Sequence, residues 1–246
     1  MALFGLIKNN KTPDTDLSVL HTDIHSHFIP GIDDGAKSID DSLALIRGMK
    51  ELGYKKVITT PHIMTDGYRN TPEIILSGLE KVKEALKKAE IDIEIEAAAE
   101  YYYDFEFENK IKTGNVMTFG KKYLLWEIPF INPPENMNQL IFEMATRGYK
   151  PVLAHVERYG FWQQNFEKYE ELADRGVLLQ MNINSVTGHY SIPTRKAAQW
   201  LIDKNMISFV GSDCHHIGHI ELIKKAITDK HFQKLLGSDK LLNRTL

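Results

Sequence analysis

The sequence is poor in cysteine and has no long apolar run. Cys214 is the only cysteine among the 246 residues, so an internal disulfide framework is excluded and a reducing compartment is indicated. No apolar run approaches the roughly 20 residues of a membrane-spanning helix, which argues against an integral membrane protein. The first eleven residues, MALFGLIKNNK, do not have the plan of a secretory signal peptide. We therefore expect a cytoplasmic protein.

The chain also has no excess of basic charge and no linker. Its formal net charge is −3, so it offers no basic footprint, and we expect no nucleic-acid partner. No Pro/Ser-rich or low-complexity stretch divides it. With 43% hydrophobic residues the chain can bury a substantial core, and we predict a single domain over residues 1–246.

The sequence motifs of several common catalysts are absent. There is no G-x-S-x-G turn for a serine nucleophile and no G-x-x-x-x-G-K loop for nucleotide phosphates. Ile220 stands six positions after Cys214, where cysteine-dependent tyrosine phosphatases as a class carry an arginine. We therefore interpret Cys214 as a structural residue.

What the chain does contain is an alternation of short apolar runs with helical patterns. The predicted strands are LHTDIHSH, KKVITTPH, IDIEIEAAAEYY, KKYLLWEIPF, KPVLAHVERY, VLLQMNINS and MISFVGSDCHH. Ser38 predicts a helix start, and Gly53, Gly148 and Gly176 each predict a helix end; a weaker helical pattern covers 104–113. Strand followed by helix, seven times, predicts an α/β fold with a parallel sheet, closed as a (β/α)7 TIM-like barrel. In such barrels the chemistry lies at the C-terminal ends of the strands.

Imidazole and carboxylate side chains end six of the seven predicted strands. They are His25, His27, His62, Glu100, Glu127, His155, Asp213 and His215, whereas the sixth strand offers Asn182 and Asn184. Any one of them is explained as a hydrogen-bonded structural residue, but charged groups inside apolar strands are costly unless they are paired or bound to metal. Side chains alternate along a strand, so His25 and His27 share one side and can bind one ion. Asp34, in the loop that follows, can bind another.

These motifs resemble the polymerase-and-histidinol-phosphatase (PHP) superfamily, whose barrel is distorted. Within it, the chain is similar to the manganese-dependent bacterial protein-tyrosine phosphatases of capsule and exopolysaccharide loci, the CpsB/YwqE type. The matching stretches are DIHSH, DDGAKS, TPH, AAEYYYD, LLWEIPF, LAHVERY and GSDCHH, in that order along nearly the whole chain.

The resemblance implies a cluster of three divalent metal ions with nine protein ligands. One ion takes His25, His27 and Asp213; a second takes Glu100 as a bridge with Glu127 and His155; the third takes Asp34, His62 and His215. A mixed set of nitrogen and oxygen donors without thiolate suits Mn²⁺, our first expectation, or Fe²⁺ or Zn²⁺. Such ions produce hydroxide from water at neutral pH, and a hydroxide bridging them is expected to attack the phosphorus of phosphotyrosine.

We expect His155, Arg158 and Asp213 to act in catalysis. A guanidinium binds two phosphate oxygens at once, which favours Arg158 as a phosphate clamp, although an ion pair with Glu157 or a helix carboxylate is the open alternative. The relatives carry a further arginine shortly after the late Asp-x-His, and the segment HHIGHIEL has none. His216, His219 or Arg69 are candidates to replace it, and Asp23 is expected to orient a ligand imidazole.

Aromatic residues just beyond the ligands are candidates to admit the substrate. We predict substrate contacts from Tyr68, Arg69, Tyr102, Phe130 and Arg158. Other rim candidates are Phe28, Ile29, Tyr159 and Trp162. The resemblance implies a phosphotyrosine protein as partner, the C-terminal tail of a membrane tyrosine autokinase that controls polysaccharide export. Two alternatives stay open: a phosphoesterase for a small metabolite such as histidinol phosphate, and a non-catalytic module that binds phosphotyrosine.

Overall fold

A computed structural model describes residues 16–163 and 165–246. The expectation about a signal peptide concerns residues 1–11 and therefore lies outside the described residues. Within the described part, every helix is too short or too polar to cross a bilayer.

Short parallel strands form two sheets. The strands are β1 (Thr22–Asp23), β2 (Lys56–Thr59), β3 (His62–Ile63), β4 (Glu94–Ala97), β5 (Glu100–Tyr102), β6 (Tyr123–Glu127), β7 (Lys150–Leu153), β8 (Leu178–Asn182) and β9 (Ile207–Gly211). The first sheet has the order β1-β2-β4, and the second has the order β3-β5-β6-β7-β8-β9. All of these pairs are parallel, as the alternating sequence predicts.

Two of the seven predicted strands are each divided into two. The second run breaks at Thr60 and Pro61 between β2 and β3, and the third breaks at Ala98 and Ala99 between β4 and β5. Proline has no N–H to donate to a strand ladder, so the ladder is interrupted at Pro61. A hydrogen bond still joins the second and third runs at the break: the Glu100 N–H donates to the Pro61 carbonyl at 3.2 Å. The order of seven strand positions is kept, but the sheet is not continuous.

The first and last strands meet through a few hydrogen bonds. Ser26 and Cys214 form an isolated parallel bridge, and the Asp213 N–H donates to the His25 carbonyl at 2.8 Å. Near the chain end, the buried Asn243 side chain donates to the carbonyls of Thr22 and Val210 at 2.9 and 2.8 Å. These contacts bring the two ends of the strand series together, although the strands form two sheets rather than one closed ladder, which agrees with the distorted barrel that the resemblance implied.

Helices cover the outside of the strands. They are α1 (Ile39–Glu51), α2 (Pro72–Lys88), α3 (Phe105–Thr113), α4 (Met137–Thr146), α5 (Glu167–Asp174), α6 (Ile192–Asp203), α7 (Ile217–Ile227) and α8 (Lys230–Leu236). Ser38 caps α1 in a reciprocal pair with Asp41, which confirms the predicted start. Gly53, Gly148 and Gly176 follow helices at positive φ, which confirms the predicted ends.

The core consists of two packed groups of apolar side chains. The larger lies between strands and helices and includes Trp126, Leu153 and Val210. The smaller takes Ile58, Leu125, Val152 and Phe209 from four strands and Ile24 from the residue that follows β1, together with neighbouring residues. Because side chains alternate along a strand, this second group faces away from the helices and fills the interior below the strand ends. The polar residues at the strand ends therefore lie directly above packed apolar side chains.

Candidate metal centre

The nine predicted ligand side chains lie together at one end of the fold. A cavity of about 430 Å³ opens there, and its wall includes Asp34, His62, Glu100, Glu127, His155, Asp213 and His215. His25 and His27 lie beneath it and are fully buried. The convergence follows from topology, because the carboxyl ends of parallel strands in a closed series share one rim.

Glu100 stands at the centre of this group. Its Oε2 lies 3.1 Å from His25 Nε2 and 3.2 Å from His62 Nδ1. Its Oε1 lies 3.1 Å from His155 Nε2. A fully buried carboxylate that faces three imidazoles has the arrangement of a group that bridges neighbouring ions.

Asp213 occupies the opposite side of the His25–His27 pair. Its Oδ1 lies 3.5 and 3.6 Å from the Nε2 atoms of His25 and His27. Its Oδ2 accepts hydrogen bonds from Arg158 at 3.1 Å and from the Asn182 amide at 2.6 Å. One oxygen therefore faces the imidazoles while the other is held by neutral and cationic donors.

Asp34 and Glu127 complete the ring of carboxylates. Asp34 Oδ1 lies 3.5 Å from His62 Nε2 and 3.4 Å from His215 Nε2. Glu127 reaches His62 Nδ1 with one oxygen at 3.4 Å and His155 Nε2 with the other at 3.6 Å. Asp34 remains half exposed, so this side of the group is open to solvent.

The donor atoms of this group fit bound divalent cations. His25 Nε2, His27 Nε2, His62 Nδ1 and Glu100 Oε2 are all buried without a hydrogen-bond partner, although they point at one another. Leaving such atoms unpaired costs free energy, and a cation between them removes that cost. Three sets place one donor atom per residue within 4.8 Å: His27 with Asp34, His62 and His215; His25 with His27 and Glu100; and His62 with Glu100 and Glu127.

The pKa values of two residues in the group lie outside their usual ranges. Burial, and then repulsion from Glu100 and Asp213, raise the pKa of Glu127 well above its usual range. Burial, followed by the nearby Arg158, lowers the pKa of His155 to about 4. Metal ions bind ionised carboxylates and neutral imidazoles, so a cation beside Glu127 would favour its ionised form, and the lowered pKa of His155 keeps that imidazole neutral.

Two hydrogen-bond acceptors whose role sequence analysis missed hold the imidazoles in place. Gln180 Oε1 lies 3.1 Å from His25 Nδ1 and also accepts the His155 N–H at 2.8 Å. Asp33 Oδ2 lies 2.8 Å from His27 Nδ1. Partners of this kind fix ring orientation and increase the affinity for metal. A glutamine inside the apolar run VLLQMN was the available signal for Gln180.

Two residues of the group have backbones that L-amino acids seldom adopt. His155 and Asp213 have φ values of 34° and 47°. The Gln180 side chain holds the His155 N–H, and the His25 carbonyl holds the Asp213 N–H. Strained backbone of this kind concentrates at functional sites, where surrounding contacts maintain it.

The prediction that Asp23 orients a ligand imidazole is wrong. Both of its carboxylate oxygens accept hydrogen bonds from Ser212, at 2.8 Å from the N–H and 2.8 Å from the hydroxyl. Asp23 lies on β1 and Ser212 directly follows β9, so this carboxylate joins the first and last strands. It supports the site by fixing the segment that carries Asp213.

Arg158 faces the cavity and is held on three sides. Its guanidinium lies 4.9 Å from the centre of the Phe130 ring and 4.4 Å from that of Tyr190, and it donates to Asp213. The alternative pairing with Glu157 is wrong, because that buried carboxylate accepts from the Asn182 N–H and from the Ser185 hydroxyl. Tyr190 lies in a segment without a strand or ligand motif, so no sequence pattern indicated it.

The residues predicted to contact the substrate differ in where they lie relative to the cavity. Phe130 lines the cavity, as do His216 and His219. The Tyr68 ring stacks on His62 at 5.5 Å, and Tyr102 pairs in register with Glu127. Arg69 is exposed, and its side chain donates to the Thr65 carbonyl.

The further rim candidates are in the core. Phe28, Ile29 and Tyr159 are fully buried, and Trp162 is only 4% exposed. The Tyr159 hydroxyl accepts a hydrogen bond from the Ile128 N–H, and its ring packs near Phe130 and Phe161. The expectation that these four admit a substrate is therefore wrong, because the helices and loops pack over them.

The chain is similar to known proteins in sequence and in fold. Residues 21–237 match the family model described as capsular polysaccharide synthesis, CpsB/CapC. The tyrosine-protein phosphatase YwqE of Bacillus subtilis is 29% identical over 196 residues, which cover 79% of this chain and 77% of YwqE. CapC of Staphylococcus aureus is 30% identical over 196 residues, with the same coverage.

A solved structure extends the likeness to the fold. It belongs to the crystal structures of YwqE from Bacillus subtilis and CpsB from Streptococcus pneumoniae, which are described as metal-dependent tyrosine phosphatases. The TM-score is 0.81 at 27% identity, and the match covers 89% of this chain and 88% of the other. The chain therefore belongs to the CpsB/CapC family of capsular polysaccharide synthesis proteins.

Proposed function

We propose that the protein is a metal-dependent protein-tyrosine phosphatase. The observation that carries this proposal is the ring of imidazoles and carboxylates around the buried Glu100, whose facing donor atoms have no hydrogen-bond partner. YwqE is a tyrosine-protein phosphatase, and the crystal structures of YwqE and CpsB are described as metal-dependent tyrosine phosphatases, which supports the same chemistry here.

The residues that would hold the metal are those of the resemblance. We propose three divalent ions, with Mn²⁺ first and Fe²⁺ or Zn²⁺ as alternatives, held by His25, His27, Asp34, His62, Glu100, Glu127, His155, Asp213 and His215. Such ions lower the pKa of bound water toward 7 and so supply hydroxide as a nucleophile for phosphorus at neutral pH. Gln180 and Asp33 orient the imidazoles for this task.

Arg158 provides the second part of the site. Its planar guanidinium can bind two oxygens of a phosphate dianion, and Asp213, Phe130 and Tyr190 hold it ready. A preorganised donor of this kind stabilises the developing charge in the transition state without reorganisation. We also propose catalytic roles for His155 and Asp213, which lie beside Arg158 on the cavity wall.

The leaving group suits a site of this composition. A tyrosine phenol has a pKa near 10, so it departs more readily than an alkoxide and needs less help from a general acid. Phe130, partly exposed at the cavity wall, and Tyr68 and Tyr102 near His62 and Glu127, offer aromatic surfaces for the substrate ring. Arg69, whose side chain is exposed, remains a proposed contact for a longer peptide.

The physiological substrate we propose is the tyrosine-rich C-terminal tail of a membrane tyrosine autokinase, dephosphorylated in the cytoplasm. The family is named for capsular polysaccharide synthesis, and such kinases control polysaccharide export in the families that the sequence resembles. A flexible tail is suitable as a substrate because its phosphotyrosine must pass the rim residues to enter the cavity.

A comparison of substrates tests the proposal. Purified protein with Mn²⁺ is assayed for phosphate release from a phosphotyrosine peptide and from histidinol phosphate. We expect higher kcat/KM for the peptide, and loss of turnover in a chelator. Preference for histidinol phosphate would replace the proposal with the metabolite phosphoesterase. Peptide binding without phosphate release in a single-turnover experiment would replace it with the non-catalytic module.

A further inference from the structure

A second groove opens beside the cavity and shares part of its wall. It has a volume of about 340 Å³. Asp34, His215 and His216 line both spaces. The cavity and the groove therefore adjoin, with these three side chains on their common boundary.

Two helices that begin at the rim form the groove. α1 and α7 pack closely in their middle, where a Cβ added to Gly48 would lie 3.2 Å from Ile220. Nearer the rim, Ala44 of α1 and Ile217 of α7 line open space instead. The short alanine side chain leaves room that a larger residue would fill.

The inner surface of the groove is apolar. Ala36 and Leu45 form part of its wall and are each 2% exposed, whereas the Ile217 residue is 57% exposed. An exposed isoleucine beside buried apolar groups is a surface that gains free energy when another apolar group covers it. The charged Lys37 and Asp41 also line the groove and are exposed. The backbone of a peptide that crosses the groove would therefore stay in contact with water and with these charged side chains.

We propose that this groove binds an apolar side chain next to the phosphotyrosine of a peptide substrate. The inference rests on the proposed function, because it requires the phosphate to lie in the adjoining cavity. A small phosphate ester is held within the cavity alone, whereas a polypeptide must leave it on both sides of the tyrosine. The groove therefore selects for peptides, and among them for those with an apolar neighbour.

A substitution that fills the groove tests this inference. Ala44→Trp occupies the space from an exposed position on α1, and Lys50→Trp is the matched control at an exposed position of the same helix outside the groove. The probes are two peptides that carry phosphonomethyl-phenylalanine, flanked on both sides by leucine in one and by glycine in the other. Their Kd values are measured by fluorescence polarisation in the presence of Mn²⁺. Turnover of phenyl phosphate is measured in parallel.

We expect the wild-type protein to bind the leucine peptide at least about tenfold more tightly than the glycine peptide. Ala44→Trp is expected to remove this difference, with phenyl phosphate turnover and the Lys50→Trp variant unchanged. Equal binding of both peptides by the wild-type protein, or an unchanged preference in Ala44→Trp, would overturn the inference while leaving the phosphatase intact. A leucine preference that Ala44→Trp removes, in a protein that releases no phosphate, would retain the groove and overturn the proposed function.

Discussion

At the scale of single residues, the site depends on side chains that face one another without hydrogen-bond partners. Glu100 is the clearest case, because its Oε2 is buried without a hydrogen-bond partner while it lies 3.1 and 3.2 Å from the imidazole nitrogens of His25 and His62. In a protein without ions this would be a costly arrangement. The contribution of each side chain to activity can be tested by a single substitution.

Glu100→Ala and His155→Ala are expected to lose at least about 100-fold in kcat while remaining folded, because each removes a donor from the proposed metal group. Phosphatase assays with Mn²⁺, circular dichroism and metal analysis of the purified variants check this. Near-normal rates in either variant would refute the assignment of that residue.

Arg158→Lys is expected to lower kcat/KM for a phosphotyrosine peptide about 100-fold. Lysine keeps the charge but lacks the planar fork that binds two oxygens and stacks on aromatic rings. Arg175→Lys, at an exposed position, is the control for a change of this type. An Arg158→Lys enzyme as active as the control would show that charge alone is sufficient.

Tyr190 is expected to act by positioning Arg158, since its ring covers the guanidinium and its hydroxyl accepts from the Asn182 amide. Tyr190→Phe retains the ring and should stay within a few-fold of wild-type activity, whereas Tyr190→Ala should raise KM about tenfold, as expected for the loss of a stacked cation of 1 to 2 kcal/mol. Peptide titrations separate KM from kcat. Equal losses in both variants would assign the effect to the hydroxyl.

The difference between predicted and missed residues has a physical reason. Glu127 and His155 were recognisable because charged or imidazole groups are rare inside apolar runs. Gln180 is unusual in its apolar run but is uncharged, so its position alone does not name its partner, and Tyr190 is of a type that is common in loops. Their roles arise only from side-chain contacts between segments that are distant in the sequence.

At the scale of secondary-structure elements, the loop after β1 is tightly constrained. A Cβ on Gly35 would collide with the carbonyl oxygen and Cβ of His27. The adjacent Asp33 both orients His27 and accepts the Gly35 N–H at 3.0 Å. The loop can carry two consecutive aspartates toward the site only because glycine allows this close approach.

Gly35→Ala is expected to displace Asp33 and Asp34 and so to weaken Mn²⁺ binding about tenfold or more, in the range known for residues that orient metal ligands. Calorimetric titration with Mn²⁺ measures this directly. Gly160→Ala is the matched control, because a Cβ at that position meets no atom within 4 Å. An affinity equal to that of the control would show that the loop tolerates the shift.

The elements also show where sequence patterns are insufficient. Helix boundaries followed from local chemistry, as at Ser38 and Gly53, because capping and left-handed glycines are properties of neighbouring residues. The division of the second and third strands depends on how the chain passes from one sheet to the other, which is a tertiary property. Pro61 was the only local sign of it.

At the scale of the whole molecule, the proposed metal group joins segments from almost every strand. Removal of divalent ions with a chelator is expected to abolish activity and to lower the melting temperature. Ions present at 1,000 times their Kd stabilise a folded protein by about 4 kcal/mol. Thermal unfolding with and without chelator, followed by addition of Mn²⁺, measures the change. A melting temperature that does not respond to either treatment would contradict a metal site built across the fold.

The contact between the first and last strands has a consequence for how the molecule is made. Asp23 and its partner Ser212 are separated by 189 positions, and loops of this length close slowly during folding. During translation, Asp213 is added only when nearly all of the polypeptide has been synthesised. His25 and His27 therefore cannot contact it before then. If His25, His27 and Asp213 share a cation as proposed, that cation is bound late in synthesis, and a truncated product without β9 is expected to have no activity on phosphate esters.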